Sequence, residues 1–548
     1  MSSTKHLFAL VAVSLGLVLA GSPPSAAAAV DPAGQPRQPI RWAPCAEDAA
    51  AECGTLPVPI DWSRPHGQQI EVALARRPAT DPAARIGSLL VNPGGPGGSG
   101  VDFVLQAGDY FSAEIRQRFD IVGFDPRGVA RSHPVVCSAE LAGQAPSPDL
   151  TSQAELDAVI EYNRRLGADC RRWTGPLLEH VDTLSVVRDV DAIRAAVGDD
   201  QLSYWGVSYG TLIGQQYAAT FPHRVRALAL DSNMDHSLGT EGFLVTEAAT
   251  TQDSFDEFVA WCERSTACVL HGQDVRALWG ELMARADRGE LRFPGAPDQP
   301  VSAFDLVSAF FGAFYGPDWT GIAEAIQILS SPEPPADPPV ALRNPIGYLR
   351  PARSASVHPT SAHPAAHPPA EPPAPELVEN PFQGVFCQDW SLPVTDFAEF
   401  DGYRQQMAAV APDLRFSPLG VAATVACLGW PAPVNNPQRP LRVHTRTPLL
   451  LVNALHDPAT GYAWAEQAAR QLGRHGVLLT YEGWGHGVYG RGPCPTGATD
   501  RYLIALELPA PDSRCEAVEP PVGAGPAATG RGAATVDLTL PVRLPSWR

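Results

Sequence analysis

The sequence predicts an α/β protein, a mostly parallel and doubly wound sheet whose run of strands is broken by a long helical insertion. Two observations carry this. Apolar runs of strand length (Ile86–Asn92, Phe119–Phe124, Val225–Asp231, Thr447–Asn453 and Gly476–Tyr481) alternate with stretches of helical periodicity, and such alternation builds parallel sheets. From about Met234 to residue 440 the buried runs stop. Helical patterns replace them at Phe255–Cys262, Val275–Ala286, Ala303–Phe314 and Trp319–Leu329. A chain of 548 residues exceeds one ordinary core, which suits a core with an insertion.

The first 29 residues stand apart. Lys5 and His6 precede the apolar run Leu7–Ala20, and small residues at Ser25–Ala29 offer cleavage sites, the pattern of a secretory signal peptide. The apolar run is short for a membrane span and no other stretch approaches it, so no stable membrane association is expected after cleavage. Ten cysteines follow: Cys45, Cys53, Cys137, Cys170, Cys262, Cys268, Cys387, Cys427, Cys494 and Cys515. An even number beyond a signal segment fits disulfides in an oxidising compartment. The simplest pairing joins sequential neighbours into five local loops, and other connectivities stay open. No C-x-x-C pair is present, which disfavours a zinc or thioredoxin-like site. The net charge of −19 becomes −20 without Lys5, and so acidic a surface disfavours nucleic acid and anionic membranes. The sequence is silent on oligomeric state.

Taken in order, Leu56–Asp61 and Gln69–Arg76 read as an antiparallel pair at a sheet edge. Ile86–Asn92 runs into Pro93-Gly-Gly-Pro-Gly-Gly-Ser-Gly100, where glycines after a strand expose several backbone N–H groups. No G-K-[ST] follows to make a phosphate loop. Phe119–Phe124 ends in Asp125-Pro-Arg-Gly128, and Asp125 with Arg127 is expected to form a buried ion pair bracing nearby loops. Asp182 or Thr183 caps a helix that Gly198 ends.

Leu202–Trp205 is the end of a buried strand, Gly206-Val-Ser-Tyr-Gly210 matches G-x-S-x-G, and Thr211–Phe221 has a helical pattern. Strand, sharp turn and helix are the setting of a nucleophile elbow. Ser208 then sits above a helix N-terminus, where the dipole and free N–H groups favour developing negative charge.

Within the insertion, residues 331–375 are rich in Pro, Ala and His, a composition expected to stay mobile. Its His358, His363 and His367 are poor metal candidates on proline-stiffened chain. The core resumes with Thr447–Asn453, which ends near Asp457. A helix at Ala463–Leu472 and the strand Gly476–Tyr481 lead to Gly483-Trp-Gly-His-Gly487, read as an exposed loop tip around His486. Cys494 and Cys515 are placed to tie down the last helix, and residues 516–548 form a Gly/Ala/Pro-rich tail with a β-like end at Val536–Leu540.

Ser208, Asp457 and His486 thus follow predicted strands in the order Ser, Asp, His, at one sheet edge. Serine needs an imidazole to take its proton, and a carboxylate must fix that imidazole's tautomer. The backbone N–H groups of Gly95, from the glycine-rich loop, and of Tyr209, after the nucleophile, are the candidate oxyanion hole. Asp231 and Asp235 are weaker candidates for the acid, and Asp389, beside Cys387, reads as a cap acid rather than a triad member.

These features define an α/β-hydrolase fold with an inserted, mainly helical cap. Residues 30–236 and 441–515 form the core and 237–440 the cap. Asn92–Gly100, Asp125-Pro-Arg-Gly-Val129, Tyr204–Thr211, Tyr217-Ala with Phe221-Pro222, and the Asp457 and His486 blocks resemble the secreted tripeptidyl aminopeptidase family, exopeptidases related to prolyl iminopeptidases. The resemblance spans roughly residues 40–515, apart from the Pro/His-rich segment. Ala130 stands where relatives often have glycine, and Gly461 where they often have proline. The resemblance implies no metal or cofactor, and peptide substrates cleaved from a free N-terminus. An aminopeptidase needs an anion for the substrate ammonium. Glu241, Asp389 and Asp235 are the cap-side candidates, and the sequence does not choose among them. Two rival readings share the triad, a prolyl or aminoacyl iminopeptidase and a carboxylesterase-type hydrolase.

Overall fold

The computed structural model describes residues 39–294, 296–331 and 375–520. The expected signal segment, the histidines of the Pro/His-rich stretch and the β-like tail lie outside them.

Ten strands form one sheet: β1 Ala43–Pro44, β2 Glu52–Pro59, β3 Gln69–Arg77, β4 Gly87–Asn92, β5 Phe119–Phe124, β6 Leu202–Val207, β7 Val225–Asp231, β8 Leu449–His456, β9 Gly476–Trp484 and β10 Arg514–Cys515. Their order is β1-β2-β3-β5-β4-β6-β7-β8-β9-β10. From β5 to β10 every neighbour is parallel, and β1-β2-β3-β5 is antiparallel. The central strands are buried on both faces, which is why they read as continuous apolar runs. Successive side chains serve opposite cores: Leu90, Val122, Tyr204 and Leu451 face one side, and Leu89, Val91, Trp205 and Val452 the other.

Six helices tie the sheet together: α1 Gly100–Gln106, α2 Gln153–Thr174, α3 Thr183–Ala196, α4 Tyr209–Thr220, α12 Tyr462–Leu472 and α13 Pro493–Ala505. Asp182 caps α3, accepting the Ser185 N–H. Between β7 and β8 the chain makes α5 Thr240–Arg264, α6 Val275–Asp287, α7 Ala303–Tyr315, α8 Trp319–Ser330, α9 Pro381–Asp389, α10 Phe397–Val410 and α11 Pro418–Cys427. Helices α5 to α8 share an aromatic-rich core that includes Phe255, Trp279, Phe310 and Trp319. The expected helix at Phe255–Cys262 is only the last part of the much longer α5. All five disulfides join sequential cysteines: Cys45–Cys53, Cys137–Cys170, Cys262–Cys268, Cys387–Cys427 and Cys494–Cys515.

The expected Asp125–Arg127 pair does not form. Arg127 is buried and grips Asp189 of α3 with two hydrogen bonds of 2.6 Å, while its remaining N–H groups donate to the carbonyls of Pro59, Ile60 and His180. Asp125 turns the other way, accepting from the Ser99 hydroxyl and the N–H groups of Val101 and Arg131. A planar guanidinium fork finds its bidentate partner on the packed helix, and the nearby carboxylate is taken up by Ser99 and the Val101 N–H at the start of α1 and by the Arg131 N–H. Ala130 has φ 41°, in the left-handed region that explains a glycine preference. At Gly461 an added Cβ would lie 2.0 Å from Thr250 Oγ1, so α5 packs too closely there for a side chain.

Candidate active site

Ser208 joins β6 to α4 with φ 59° and ψ −126°. A non-glycine residue held there stores local strain that surrounding structure must enforce. That enforcement is visible. A Cβ on Gly206 would come within 2.6 Å of the Gly210 carbonyl, and one on Gly210 within 2.7 Å of the Asn92 carbonyl. The Tyr204 hydroxyl donates to the Gly210 carbonyl at 2.8 Å, closing the turn.

Asp457 follows β8 and His486 follows β9. His486 Nδ1 lies 3.0 and 3.2 Å from the two Asp457 carboxylate oxygens. Asp457 also accepts the N–H groups of Ala459 and Thr460, each at 2.9 Å, and the Thr460 hydroxyl at 3.0 Å. Burial pushes its carboxyl pKa up, but His486 and these N–H groups outweigh that and hold it below the ordinary value. An ionised carboxylate accepts only, so His486 donates to it from Nδ1, and Nε2 is the ring nitrogen left for the other side.

Asp231 and Ser232, at the end of β7, bind the elbow and the histidine loop to one point. The Ser208 N–H donates to the Asp231 carbonyl at 2.9 Å. The Val488 and Tyr489 N–H groups donate to its carboxylate at 2.8 Å, and Gly487 N–H donates to the Ser232 hydroxyl at 2.8 Å. Asp231 is therefore no stand-in for Asp457. Its oxygens are engaged in positioning the loop that carries His486. His486 is not on an exposed tip either. It is 4% exposed, because Tyr315 of α7 covers it, with ring centroids 4.9 Å apart.

A cavity opens over Ser208, and Gly95 and Tyr209 both line it. Among the described hydrogen bonds neither Gly95 N–H nor Tyr209 N–H has an acceptor. Tyr209 is the first residue of α4, where helix N–H groups have no internal partner.

The three acids expected to meet a substrate ammonium are elsewhere. Glu241 is exposed at the start of α5. Asp235 is buried and accepts from Ser237 and Gln471. Asp389 is buried and accepts from Thr183, the Tyr209 hydroxyl and Asn436, so its oxygens are satisfied within the protein. Burial raises its pKa to about 7. The carboxyl that does line the cavity is Glu247 of α5. A regular stripe of Phe243, Leu244, Glu247, Ala248 and Thr251 on the buried face of α5 carries the signal that would have found it.

Parallel sheet, elbow serine and buried His–Asp pair together make an α/β-hydrolase of the serine hydrolase class. Residues 87–306 match the family described as alpha/beta hydrolase fold, and residues 413–515 match that described as TAP-like protein. The chain is 31% identical to serine protease Hip1 of Mycobacterium tuberculosis over 504 residues, covering 87% of this chain and 91% of that protein. It is 33% identical to carboxylesterase B of the same species over 533 residues, covering 92% and 97%. With tripeptidyl aminopeptidase of Streptomyces lividans it shares 28% identity over 507 residues, covering 89% and 88%. The chain belongs to the tripeptidyl aminopeptidase family of α/β-hydrolases.

Proposed function

We propose that the protein is a secreted serine exopeptidase that releases short peptides, tripeptides foremost, from substrates with a free N-terminus. The observations that carry the chemistry are the buried His486–Asp457 pair and a serine held in a strained elbow. In this reading His486 Nε2 takes the Ser208 proton as Oγ attacks the scissile carbonyl. The N–H groups of Gly95 and Tyr209 receive the oxyanion, each worth about 3–4 kcal/mol in acyl transfer. The protonated imidazole, stabilised by Asp457, then gives its proton to the leaving amine. Water repeats the sequence on the acyl-enzyme.

Tripeptide release is supported by the relatives named tripeptidyl aminopeptidase and by the TAP-like match. The helices that cover the cavity suit an enzyme acting at chain ends. Export is supported by the signal-like N-terminus and five disulfides, and among the described residues no helix is long and apolar enough to cross a membrane. Residues 237–440 are read as the cap and 30–236 with 441–515 as the core.

The relative named carboxylesterase B supports a second reading, an esterase on the same residues. A chromogenic panel separates the two, with aminoacyl, prolyl and tripeptidyl anilides, an N-blocked tripeptide anilide and a short-chain ester. Cleavage of free tripeptidyl anilides above all others is the expected result. Preference for prolyl anilides would move the enzyme to the iminopeptidases, and ester turnover alone would replace the peptidase reading.

A further inference from the structure

Glu247 departs from the chemistry of the wall it belongs to. It lines the cavity over Ser208 beside Phe243, Phe386, Leu419, Ala423 and Trp464, and it is 1% exposed. Its Oε2 accepts a hydrogen bond from the Ser417 hydroxyl at 3.0 Å. Its Oε1 has no donor among the described hydrogen bonds, and it is not one of the sealed, unpartnered polar atoms of the interior, so it is open to the cavity. The side chain is also aimed. Gly420, in the first turn of α11, lies flat against it, so close that an added Cβ would stand 3.1 Å from Glu247 Cβ.

A carboxyl with half its acceptors unused is costly in an apolar wall unless something arrives to pair with it. We propose that Glu247 is a cation subsite, receiving an ammonium or guanidinium group from the acyl part of the substrate while Ser208 engages the carbonyl. This rests on the peptidase reading and names what that site recognises. Burial is the main reason the Glu247 pKa stands well above the carboxylate range. The Ser417 hydrogen bond opposes it, and the negative charge of Asp457 adds to it.

One cation chemistry has two sources here, the α-ammonium of the substrate or a Lys or Arg side chain before the scissile bond. Matched anilides separate them, comparing free amine with N-acetyl, and Lys or Arg with norleucine before the scissile bond. Wild type, Glu247→Gln and Glu247→Asp are assayed for kcat/KM, with fluorophosphonate labelling rate as a substrate-independent reading of the triad and a thermal melt as a check on folding. Wild type is expected to favour the cationic member of one pair by about 100-fold, the scale of a desolvated charge pair. Glu247→Gln should bring that ratio near unity, with Glu247→Asp between. The pair that collapses identifies the source. An unchanged ratio in a folded variant, or equal loss on both members, would overturn the proposal. If wild type labels but cleaves only esters, the peptidase reading falls. The subsite is then judged on its own by the ratio between an aminoacyl ester and its desamino isostere.

Discussion

Tyr315 holds His486 in two ways. Its carbonyl accepts the His486 N–H at 2.9 Å, and its ring meets the imidazole edge-on with centroids 4.9 Å apart. Arg491 reinforces the joint, donating to the same carbonyl at 2.7 Å and to the His486 carbonyl at 3.0 Å. Tyr315 is the last residue of α7, so the helical insertion is part of the framework that positions the imidazole. Tyr315→Ala leaves the backbone bond but frees the ring of His486. It should lower kcat by about 10-fold or more, since small misplacements of a catalytic group are costly, while Tyr315→Phe keeps most activity. Separate kcat and KM values check this, and a loss confined to KM would count against it.

The glycine-rich loop reaches the elbow by close backbone approach. At Gly94, with φ 84°, an added Cβ would sit 2.4 Å from the Val207 carbonyl and 2.9 Å from the Tyr209 nitrogen. Gly94→Ala must push this loop off the elbow and spoil the alignment of the Gly95 and Tyr209 N–H groups. A fall in kcat of about 100-fold, the cost of one oxyanion donor, is expected with the global melting temperature only modestly lowered. Steady-state kinetics and calorimetry on the same preparation decide it.

The disulfide Cys387–Cys427 joins α9 to the end of α11 across 40 residues. Both helices face the cavity, through Phe382 and Phe386 on one and Leu419 and Ala423 on the other. Replacing both cysteines by serine should cost about 3–4 kcal/mol of stability by releasing that loop in the unfolded chain. It should also raise KM as the wall loosens. Thermal melts and KM for one peptide substrate test both halves.

Burial lifts Asp231 to about pKa 6, even with the Tyr489 and Val488 N–H groups and His486 opposing the shift. In the unfolded chain the same carboxyl titrates near 4. Between these values the folded protein keeps a proton that the unfolded chain has released, so this group lowers stability as pH rises from about 4 to about 6, by about 3 kcal/mol. Asp231→Asn should flatten that part of the profile. Melting temperature against pH for the two proteins should diverge across this window, and parallel curves would contradict the assignment.

The strands and the Ser208 turn were legible because each carries a local pattern. Phe119–Phe124 and Val225–Asp231 are continuous apolar runs, and the Ser208 turn has glycines where backbone crowds backbone. What escaped the sequence depends on distant partners. Arg127 finds Asp189, 62 residues away, and no spacing rule announces that. The glycines around His486 suggested exposure, but they permit a turn that α7 then covers. Glu247 was missed because a polar residue on the buried face of α5 interrupts the apolar stripe that marks a helix, so the pattern was recognised only from Phe255 onward. Glu241, Asp235 and Asp389 were plausible by position, yet exposure or internal hydrogen bonds already account for them.

The central claim is that Ser208 is the nucleophile activated by His486 and Asp457. Its most direct test is peptide-level mass spectrometry of the mature protein after treatment with a fluorophosphonate. A single adduct on Ser208 is predicted. It should be absent in Ser208→Ala and slowed by about 10⁴-fold in Asp457→Asn, where the imidazole takes the wrong tautomer. An adduct on another residue, or labelling at an undiminished rate in Asp457→Asn, would contradict the account.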